Sequence, residues 1–402
     1  RKYLDYGLFL YKDFSSQILN EDAQFSKLLK EDLALKGHGV HTYEHLRSLA
    51  AAYYASGNPE LEVALKNFLG KIDAATDPSG GPVGDEWIAS SSSHAADATN
   101  RGYEYCSMHE LLHSYESLYA KSGDPKFGDK IETLFFNAAQ GSRLPGKSAI
   151  AYLKSDNSYE MTGGLNGNNS DVKQTRYRYS PVHKEAAVCC VPNAGRIAPY
   201  YVSGMWLKDG NSPVASLLGP SELVTIVNKK PLTITETTEY PFENKIVFKV
   251  DYKGKLAIKI RKPEWATKFT IDAAYTEKDG FIIIEKNWSK NSVFTLEFLP
   301  EVVTSQDVNG EFYFQYGALV LARQLPSIEQ ITKTYSLGGF SDVNYKAKDI
   351  VVYQYTASEI KTIGKNKFST QLFNPKTGKN ETVILEPMGE TILRQVTFKK
   401  QP

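Results

Sequence analysis

The spacing of the apolar residues changes near Ser212, and this change most constrains what the chain can fold into. Upstream of it, apolar residues recur every three to four positions, which is the period of an α-helix with one buried face. Downstream, they alternate with polar residues in short segments separated by Gly, Pro and Asn, which is typical of β-strands. The pattern therefore predicts a helical region at residues 1–212, followed by a β-sandwich region at 213–402 that can divide into two small β-domains.

The same periodicities place the individual elements along the chain. The predicted helices cover residues 3–29, 38–54, 59–72, 107–120, 125–139 and about 193–206. The predicted strands cover residues 222–227, 232–235, 245–250, 256–260, 281–285, 294–298, 312–314 and 392–398. About six helices thus precede a series of short strands.

A helical hairpin is repeated within the first region. Two helices are joined by Ser56-Gly57-Asn58-Pro59, and two others by Ser122-Gly123-Asp124-Pro125. Gly is common just after a helix end, and Pro at the first position of the next helix. Repeated helix pairs indicate an (α/α)6-type toroid. A closed toroid of six hairpins has twelve helices, so either this chain is half of one or the missing helices lie upstream.

Composition excludes several classes of protein. The net charge of +1 gives no electrostatic footprint for nucleic acid. No apolar run approaches the length of a membrane span. The three cysteines are too few for a disulfide framework.

The sequence starts at Arg1 without a signal-like segment, so we expect the natural N-terminus upstream. The compartment stays open between a periplasmic or secreted protein and a cytoplasmic bacterial one.

Two short clusters combine a carboxylate with cysteines. Glu104 and Cys106 precede the predicted helix at 107, and Cys189 and Cys190 precede the one near 193. An extended backbone there can aim both members of the first pair inward, and each helix N-terminus favours thiolate over thiol. One carboxylate and three thiolates could bind a tetrahedral zinc ion. The spacing matches no standard zinc motif, so a vicinal disulfide or inert thiols stay open as alternatives.

The sequence resembles the β-L-arabinofuranosidases of glycoside hydrolase family 127 and their relatives in family 146. The segments that carry this resemblance are Glu104-Tyr105-Cys106, Cys189-Cys190-Val191-Pro192-Asn193, Gly37-His38-Gly39-Val40, Gly57-Asn58-Pro59-Glu60-Leu61, Gly80-Gly81-Pro82-Val83-Gly84-Asp85-Glu86, Arg261-Lys262-Pro263-Glu264-Trp265 and Gln315-Tyr316-Gly317-Ala318-Leu319-Val320. The resemblance begins midway along the helical domain of that family. It therefore implies the second half of the toroid, followed by β-sandwich domains. A separate chain or segment carrying the other helices would then be a partner.

The resemblance implies a retaining hydrolysis that releases L-arabinofuranose, or a related sugar, from plant-type glycans. It assigns Zn²⁺ to Glu104, Cys106, Cys189 and Cys190, with Cys189 attacking the anomeric carbon. Glu86 would protonate the leaving oxygen and then activate water. Bound to zinc, Cys189 would be deprotonated at neutral pH without a neighbouring base.

The resemblance also implies that the side chains that bind the oligosaccharide or glycan substrate are His38, Glu132, Tyr152 and His183. A histidine near a helix start is more often a cap or a core residue, and a tyrosine is often plain packing. Two positions depart from the family pattern. The family's Gly-Glu-small-aromatic segment is here Gly84-Asp85-Glu86-Trp87, so Asp85 is a rival for the acid/base role and Trp87 can reshape the sugar subsite.

A competing motif fits a different class of enzyme. His109-Glu110-Leu111-Leu112-His113 has the His-Glu-x-x-His pattern of zinc peptidases, and Glu132 follows at a distance that suits a third ligand. Glu110 would then activate water. The apolar stripe of this helix places both histidines beside its other face, and the peptidase interpretation leaves the cysteines without a role. A third class, a catalytically inactive carbohydrate-binding or scaffold protein, is disfavoured because the zinc set and Glu86 are complete.

Overall fold

The structure is a computed structural model that describes residues 2–18, 21–90, 94–168, 170, 174–183 and 189–401. The α-helices of the described residues are α1 (Lys2–Ser16), α2 (Phe25–Leu28), α3 (Gly39–Ser56), α4 (Pro59–Asp73), α5 (Tyr105–Ser122), α6 (Lys126–Thr133) and α7 (Cys190–Gly204). Five short strands lie among the helices: β1 (Tyr103–Glu104), β2 (Ile150–Ala151), β3 (Leu153–Lys154), β4 (Glu160–Met161) and β5 (Tyr179–Ser180).

All later strands follow α7 in the chain. They are β6 (Trp206–Asp209), β7 (Ser212–Ala215), β8 (Ser221–Val227), β9 (Lys230–Thr238), β10 (Lys245–Asp251), β11 (Gly254–Arg261), β12 (Phe269–Ile271), β13 (Thr276–Lys278), β14 (Phe281–Trp288), β15 (Ser292–Phe298), β16 (Val302–Gln306), β17 (Phe312–Tyr316), β18 (Leu319–Gln324), β19 (Ser327–Thr334), β20 (Ser341–Ala347), β21 (Lys361–Gly364), β22 (Lys367–Asn374), β23 (Lys379–Pro387) and β24 (Arg394–Gln395). A partial helical region followed by β-domains confirms the predicted fold class.

The repeated hairpin has the same local cause in both copies. Helix α3 ends at Gly57, whose φ of 65° is a conformation that glycine adopts without steric cost, and α5 ends in the same way at Gly123. The side chain of Asn58 then accepts a hydrogen bond of 2.9 Å from the backbone N–H of Glu60 at the start of α4. Asp124 makes the equivalent bond before α6, at 3.1 Å.

Two predicted helices differ from the observed ones. The helical pattern of residues 3–29 is divided between α1 and the single turn α2. The helix predicted at 125–139 is α-helical only through Thr133 and continues as a π-helical segment at Leu134–Ala139. Within that segment the Asn137 side chain bonds to the backbone of Ala318 and Val320, and it thereby joins the helices to the β region.

The helices pack side by side, with α5 in contact with α3, α6 and α7. The described residues form seven α-helices, fewer than a closed toroid of six hairpins requires. Helix α1 leaves aromatic residues facing solvent, among them Tyr3, Tyr6 and Phe9. The existence of a separate chain or segment that supplies the other helices remains a prediction. Within the described parts of the chain, no helix has the length and apolar character needed to cross a membrane.

A β-sandwich follows the last helix. One sheet has the strand order β12-β15-β10-β9-β8, and the other has the order β13-β14-β11-β7-β6. Their inner faces bury a core that includes Phe248, Ile258, Ile282 and Leu296. Strand β6 belongs to this sandwich and pairs with β7. The β region therefore begins at Trp206, a few residues before the predicted boundary at 212.

The last part of the chain forms a second β unit and also returns to the helices. A third sheet has the order β16-β17-β18-β23-β22-β21 around its own small core. A fourth sheet joins β19 and β20 to β5 and β2, which lie among the helices. Tyr152 directly follows β2, and Arg176 lies shortly before β5. The pairing of β5 with β20 therefore holds the segments of both residues against the C-terminal region.

Candidate metal centre and active site

The four predicted metal ligands come together in the structure. The ligand atoms of Glu104, Cys106, Cys189 and Cys190 all lie within 4.8 Å of one another. The sulfurs of Cys106 and Cys190 are 3.1 Å apart, and Cys190 Sγ lies 3.4 Å from Glu104 Oε1. None of the three cysteines belongs to a disulfide, so the two adjacent cysteines are not joined to each other.

Two helix N-termini build this cluster. Strand β1 pairs with β3 and leads directly into α5, so Glu104 is extended and Cys106 lies in the first helical turn. The sequence predicts that both residues are extended; only Glu104 is, because α5 begins two residues earlier than predicted. Cys189 directly precedes α7, and Cys190 is its first residue. Because α5 packs against α7, the two N-termini meet.

The cluster fits a bound cation. Glu104 is 1% exposed, and its Oε2 atom has no hydrogen-bond partner among the described residues. Burial raises the pKa of Glu104 to about 7, as expected for a carboxylate without a compensating charge. A metal ion at the centre of the four ligand atoms would satisfy this oxygen. One carboxylate with three thiolates is a donor set that suits a tetrahedral ion.

The three sulfurs differ in exposure and in charge. Cys106 and Cys190 are buried, whereas Cys189 is exposed. Hydrogen bonds from the thiols of Cys106 and Cys190 lower the pKa of Cys189 to about 2. The bond to Cys189 raises the pKa of Cys106, and burial raises that of Cys190. Negative charge therefore concentrates on the one sulfur that an incoming molecule can reach.

Glu86 lies beside this cluster at the centre of a hydrogen-bonded group. Its Oε2 atom is 3.1 Å from His38 Nε2, and its Oε1 atom forms an ion pair with Arg176. The Tyr152 hydroxyl lies 3.4 Å from Glu86 Oε1 and 3.5 Å from Cys189 Sγ. Tyr152 thus connects the carboxylate to the exposed sulfur. The φ of Glu86 is 86°, an unusual conformation for a residue with a side chain and one that recurs at functional sites.

The charges around Glu86 set its protonation. The hydrogen bond from His38, and next the contact with Arg176, lower the pKa of Glu86 to about 2 although burial opposes the shift. The same bond raises the pKa of His38 above its usual value. When the pair carries one proton, that proton therefore lies on His38, and Glu86 is the carboxylate.

A second group of possible metal ligands consists of His38, Glu86 and Glu104. In this group the Arg176 guanidinium already neutralises Glu86, and its positive charge would repel a metal ion. His38 and Glu86 also satisfy each other. The four-residue cluster is therefore the better metal site, and Glu104 is the residue that the two groups share.

Asp85, the predicted rival of Glu86, faces a different neighbour. Its Oδ2 atom lies 3.5 Å from Gln174 Nε2, and burial raises its pKa. The hydrogen-bonded group of His38, Arg176 and Tyr152 forms around Glu86. The acid/base assignment to Glu86 thus has the geometric support that Asp85 lacks.

The structure does not bring Glu132 to this site, contrary to the prediction that it binds sugar. Glu132 is 1% exposed and forms an ion pair with Arg261 of strand β11. Its oxygens also accept hydrogen bonds from the Leu218 backbone, at 2.9 Å, and from the Tyr240 hydroxyl, at 2.5 Å. With both oxygens engaged and no access to solvent, Glu132 joins α6 to the sandwich.

His183 lies behind Tyr152 and is fully buried. Its Nε2 atom is 2.8 Å from the carbonyl oxygen of Ile150, and its ring meets the Tyr152 ring edge-on at 5.5 Å. In this arrangement His183 supports the tyrosine and does not itself face the site.

Arg176 is the residue of the site that sequence reasoning missed. It pairs with Glu86, and its guanidinium lies 4.8 Å from the centre of the Tyr152 ring. The one available signal was the alternation Arg176-Tyr177-Arg178-Tyr179, which indicates an extended segment with both arginines on one face.

The peptidase motif does not assemble a metal site. His109 is fully buried and its Nδ1 atom lies 3.1 Å from Glu110 of the same motif. The Tyr200 ring packs against both His109 and His113, and Glu132 is held by Arg261. Among the described residues, neither group that could hold a metal ion includes a histidine of this motif.

The chain is similar to several known proteins. The family model described as β-L-arabinofuranosidase, GH127 middle domain, matches residues 214–299. No curated protein matches the sequence. A solved structure described as a GH127 β-arabinofuranosidase aligns over 100% of this chain and 66% of its own, with a TM-score of 0.71 and 16% identity.

Two further solved structures are similar. One, described as a glycoside hydrolase, aligns over 100% of this chain and 72% of its own, with a TM-score of 0.73 and 15% identity. The other is a GH127 β-L-arabinofuranosidase from Geobacillus stearothermophilus T6, which aligns over 91% of this chain and 61% of its own, with a TM-score of 0.64 and 16% identity. This chain thus spans about two thirds of the length of these proteins. It has the fold of the glycoside hydrolase family 127 β-L-arabinofuranosidases and carries the middle domain of that family at residues 214–299.

Proposed function

We propose that this protein is a retaining glycoside hydrolase that releases L-arabinofuranose, or a related sugar, from plant-type glycans. One observation carries the proposal: the Tyr152 hydroxyl contacts both Cys189 Sγ and Glu86 Oε1, at 3.5 and 3.4 Å. A nucleophile and a carboxylate therefore border the same space, as a retaining mechanism requires. The match to the GH127 middle domain and the shared fold support the choice of substrate class.

We assign Zn²⁺ to Glu104, Cys106, Cys189 and Cys190, whose ligand atoms lie within 4.8 Å of one another. When bound, the ion would keep the thiolate of Cys189 deprotonated at neutral pH and would balance the buried charge of Glu104. The remaining chemistry belongs to side chains of this chain.

The first half of the reaction transfers the sugar to the protein. The Cys189 sulfur attacks the anomeric carbon, and the bond from that carbon to the leaving oxygen breaks. His38 passes its proton to Glu86 across their 3.1 Å contact, and Glu86 donates this proton to the leaving oxygen. The raised pKa of His38 keeps the proton on this pair to a higher pH than an ordinary histidine would.

The second half returns the protein to its starting state. Glu86, now a carboxylate, accepts a proton from a water molecule, whose oxygen attacks the anomeric carbon, and this proton returns to His38. The bond between carbon and sulfur breaks, and Cys189 leaves as a thiolate. Two displacements at one carbon give overall retention of configuration. Tyr152 and Arg176 would hold Glu86 in place during both steps, because each contacts the same carboxylate oxygen.

The test is hydrolysis of an aryl β-L-arabinofuranoside by the full-length protein and by Cys189→Ser. We expect turnover to fall by at least about a thousand-fold, the scale on which loss of a nucleophile acts. Aryl α-L-arabinofuranoside and aryl β-D-glucoside serve as substrate controls. Undiminished turnover by Cys189→Ser would refute the assignment of Cys189 as the nucleophile. Hydrolysis of only the control substrates would refute the assignment of L-arabinofuranose as the released sugar.

A further inference from the structure

We propose that Arg196 is a positioning residue that fixes the orientation of the Asn193 amide, so that its N–H end faces the Cys106 sulfur. The inference rests on the metal site of the proposed function. Asn193 is 8% exposed, and its Nδ2 atom lies 3.1 Å from Cys106 Sγ. Arg196 lies one turn further along α7, and its Nη1 atom is 3.1 Å from Asn193 Oδ1.

The orientation of this amide decides its effect on the sulfur. A side-chain amide has a donor end and an acceptor end of almost the same shape. The donor end stabilises a thiolate by a charge-assisted hydrogen bond, whereas the carbonyl end would place a partial negative charge against it. Rotation of the Asn193 amide by half a turn would therefore convert a stabilising contact into a repulsive one.

Arg196 removes this ambiguity because a guanidinium has only donors. It can bond to Asn193 through the carbonyl oxygen alone, and this leaves the N–H end for Cys106. Arg196 is itself held by Tyr200, whose hydroxyl accepts a bond of 3.2 Å from Nη2 and whose ring centre lies 5.5 Å away. Asn193, Arg196 and Tyr200 lie on one face of α7 at spacings of three and four. A single helix therefore positions all three side chains for these contacts.

The contact also distinguishes the sulfurs from one another. Cys106 receives the Asn193 amide, and Cys190 receives the backbone N–H of Cys106 at 3.3 Å. A thiolate that accepts a hydrogen bond is a weaker electron donor and a weaker nucleophile than a free one. The Asn193 contact would thus lower the nucleophilicity of Cys106, whereas Cys189 is distinguished by its exposure at the open side of the cluster.

The experiment uses full-length protein loaded with Co²⁺ and compares its sulfur-to-cobalt charge-transfer absorption among variants. Loss of a hydrogen bond makes a thiolate easier to oxidise, so the band should move to longer wavelength in Asn193→Ala. We expect Arg196→Ala to produce the same shift and Arg196→Lys, which keeps a donor, to restore the original position. The double variant Asn193→Ala/Arg196→Ala should shift no further, because both changes remove one interaction.

Tyr200→Phe loses the hydroxyl contact to Arg196 but keeps the ring beside the guanidinium, and its band should move less than that of Arg196→Ala because the bond from Arg196 to Asn193 remains. Competition with a chelator should show Co²⁺ affinity about 10–100-fold lower in Asn193→Ala and Arg196→Ala, as for other residues that orient metal ligands.

An unchanged band in Arg196→Ala beside a shifted one in Asn193→Ala would overturn the positioning role. Cobalt-loaded protein without any thiolate band would overturn the metal site together with this inference. A responsive band in a protein that hydrolyses no glycoside would refute the proposed function alone and leave the role of Arg196 supported.

Discussion

His38 Nε2 lies 3.1 Å from Oε2 of Glu86, and a β-bridge between His38 and Trp87 holds the two backbone segments together. His38 directly precedes helix α3, so its position is fixed by the start of that helix. The contact lowers the pKa of Glu86 and raises that of His38. One proton is therefore shared by two side chains, and its loss should limit activity at high pH.

The first prediction concerns the pH dependence of His38→Gln. In the wild type, kcat/KM should fall as pH rises through the raised pKa of His38, because the pair then has no proton to give. Without the histidine, Glu86 alone carries the proton. Its pKa rises when the His38 bond is lost, but Arg176 still lowers it, and a carboxyl group beside a guanidinium titrates below an imidazole. The falling limb of the profile should therefore move to lower pH, with most activity lost at neutral pH.

The control for this experiment is His41→Gln, whose ring lies 4.6 Å from that of His38 but whose partner is Glu21. Its profile should match that of the wild type. A falling limb at the same pH in His38→Gln and in wild type would show that the proton is held elsewhere.

The second prediction concerns Arg176. Its guanidinium contributes to the low pKa of Glu86 and covers the Tyr152 ring. In Arg176→Ala the pKa of Glu86 should rise and the carboxylate should lose its fixed position, lowering kcat by about 10²-fold, on the scale of a positioned acid–base group. Millimolar guanidinium ion should restore part of this loss. No recovery, together with an unchanged profile, would mean that Arg176 acts only on folding.

The third prediction separates the two candidate metal sites. Cys106→Ala removes a buried ligand of the four-residue cluster, so metal content measured after dialysis should fall from about one ion per chain to near zero. His109→Ala removes the first histidine of the peptidase motif and should keep its metal, since the structure does not bring that motif together. Metal lost from His109→Ala and retained by Cys106→Ala would reverse the assignment.

The sequence predicted those parts of the fold that follow from local pattern. The hairpins could be predicted because Gly57 and Gly123 end helices by their own conformational freedom. Strands β8 to β11, β14 and β15 could be predicted because more buried and more exposed side chains alternate along them. Strand β18 has four consecutive buried residues, and β19 is exposed along nearly its whole length, so neither alternates and both were missed.

The residues of the site also differ in whether a local sequence pattern could predict them. Glu104 and Cys106 lie two residues apart and Cys189 and Cys190 are adjacent, so short motifs indicate them. Arg176 reaches Glu86 across 90 residues of sequence and belongs to no motif. The position of Glu132 could not be predicted because its partner, Arg261, lies in the β region, and only the packing of α6 against the sandwich brings the two together.

The fourth prediction follows from that packing. Glu132→Gln leaves the buried Arg261 guanidinium with Asp129, at 2.5 Å, as its one remaining carboxylate. Breaking a buried ion pair in this way costs about 3–5 kcal/mol in the free energy of unfolding. Urea denaturation should show this loss, whereas KM for an aryl arabinofuranoside should not change in the folded variant. A raised KM with unchanged stability would instead show that Glu132 binds the sugar.

The fifth prediction concerns Trp87, which lies in the segment that departs from the GH127 pattern. Trp87 follows Glu86 directly, is 47% exposed, and meets the His38 ring edge-on at 5.7 Å. A large exposed ring beside the proton donor is suited to cover the apolar face of the sugar on the leaving side. Aromatic contacts of this kind contribute about 0.5–1.5 kcal/mol, which corresponds to a two- to ten-fold change in KM.

Trp87→Ala should therefore raise KM for an arabino-oligosaccharide by that factor, while Trp87→Phe should recover most of the affinity. Inhibition by free L-arabinose reports on the sugar that the nucleophile attacks and should be the same in all three proteins. Weaker inhibition by L-arabinose in Trp87→Ala, at an unchanged KM for the oligosaccharide, would instead place the ring against the sugar that is released. The two measurements together decide on which side of the cleaved bond Trp87 acts.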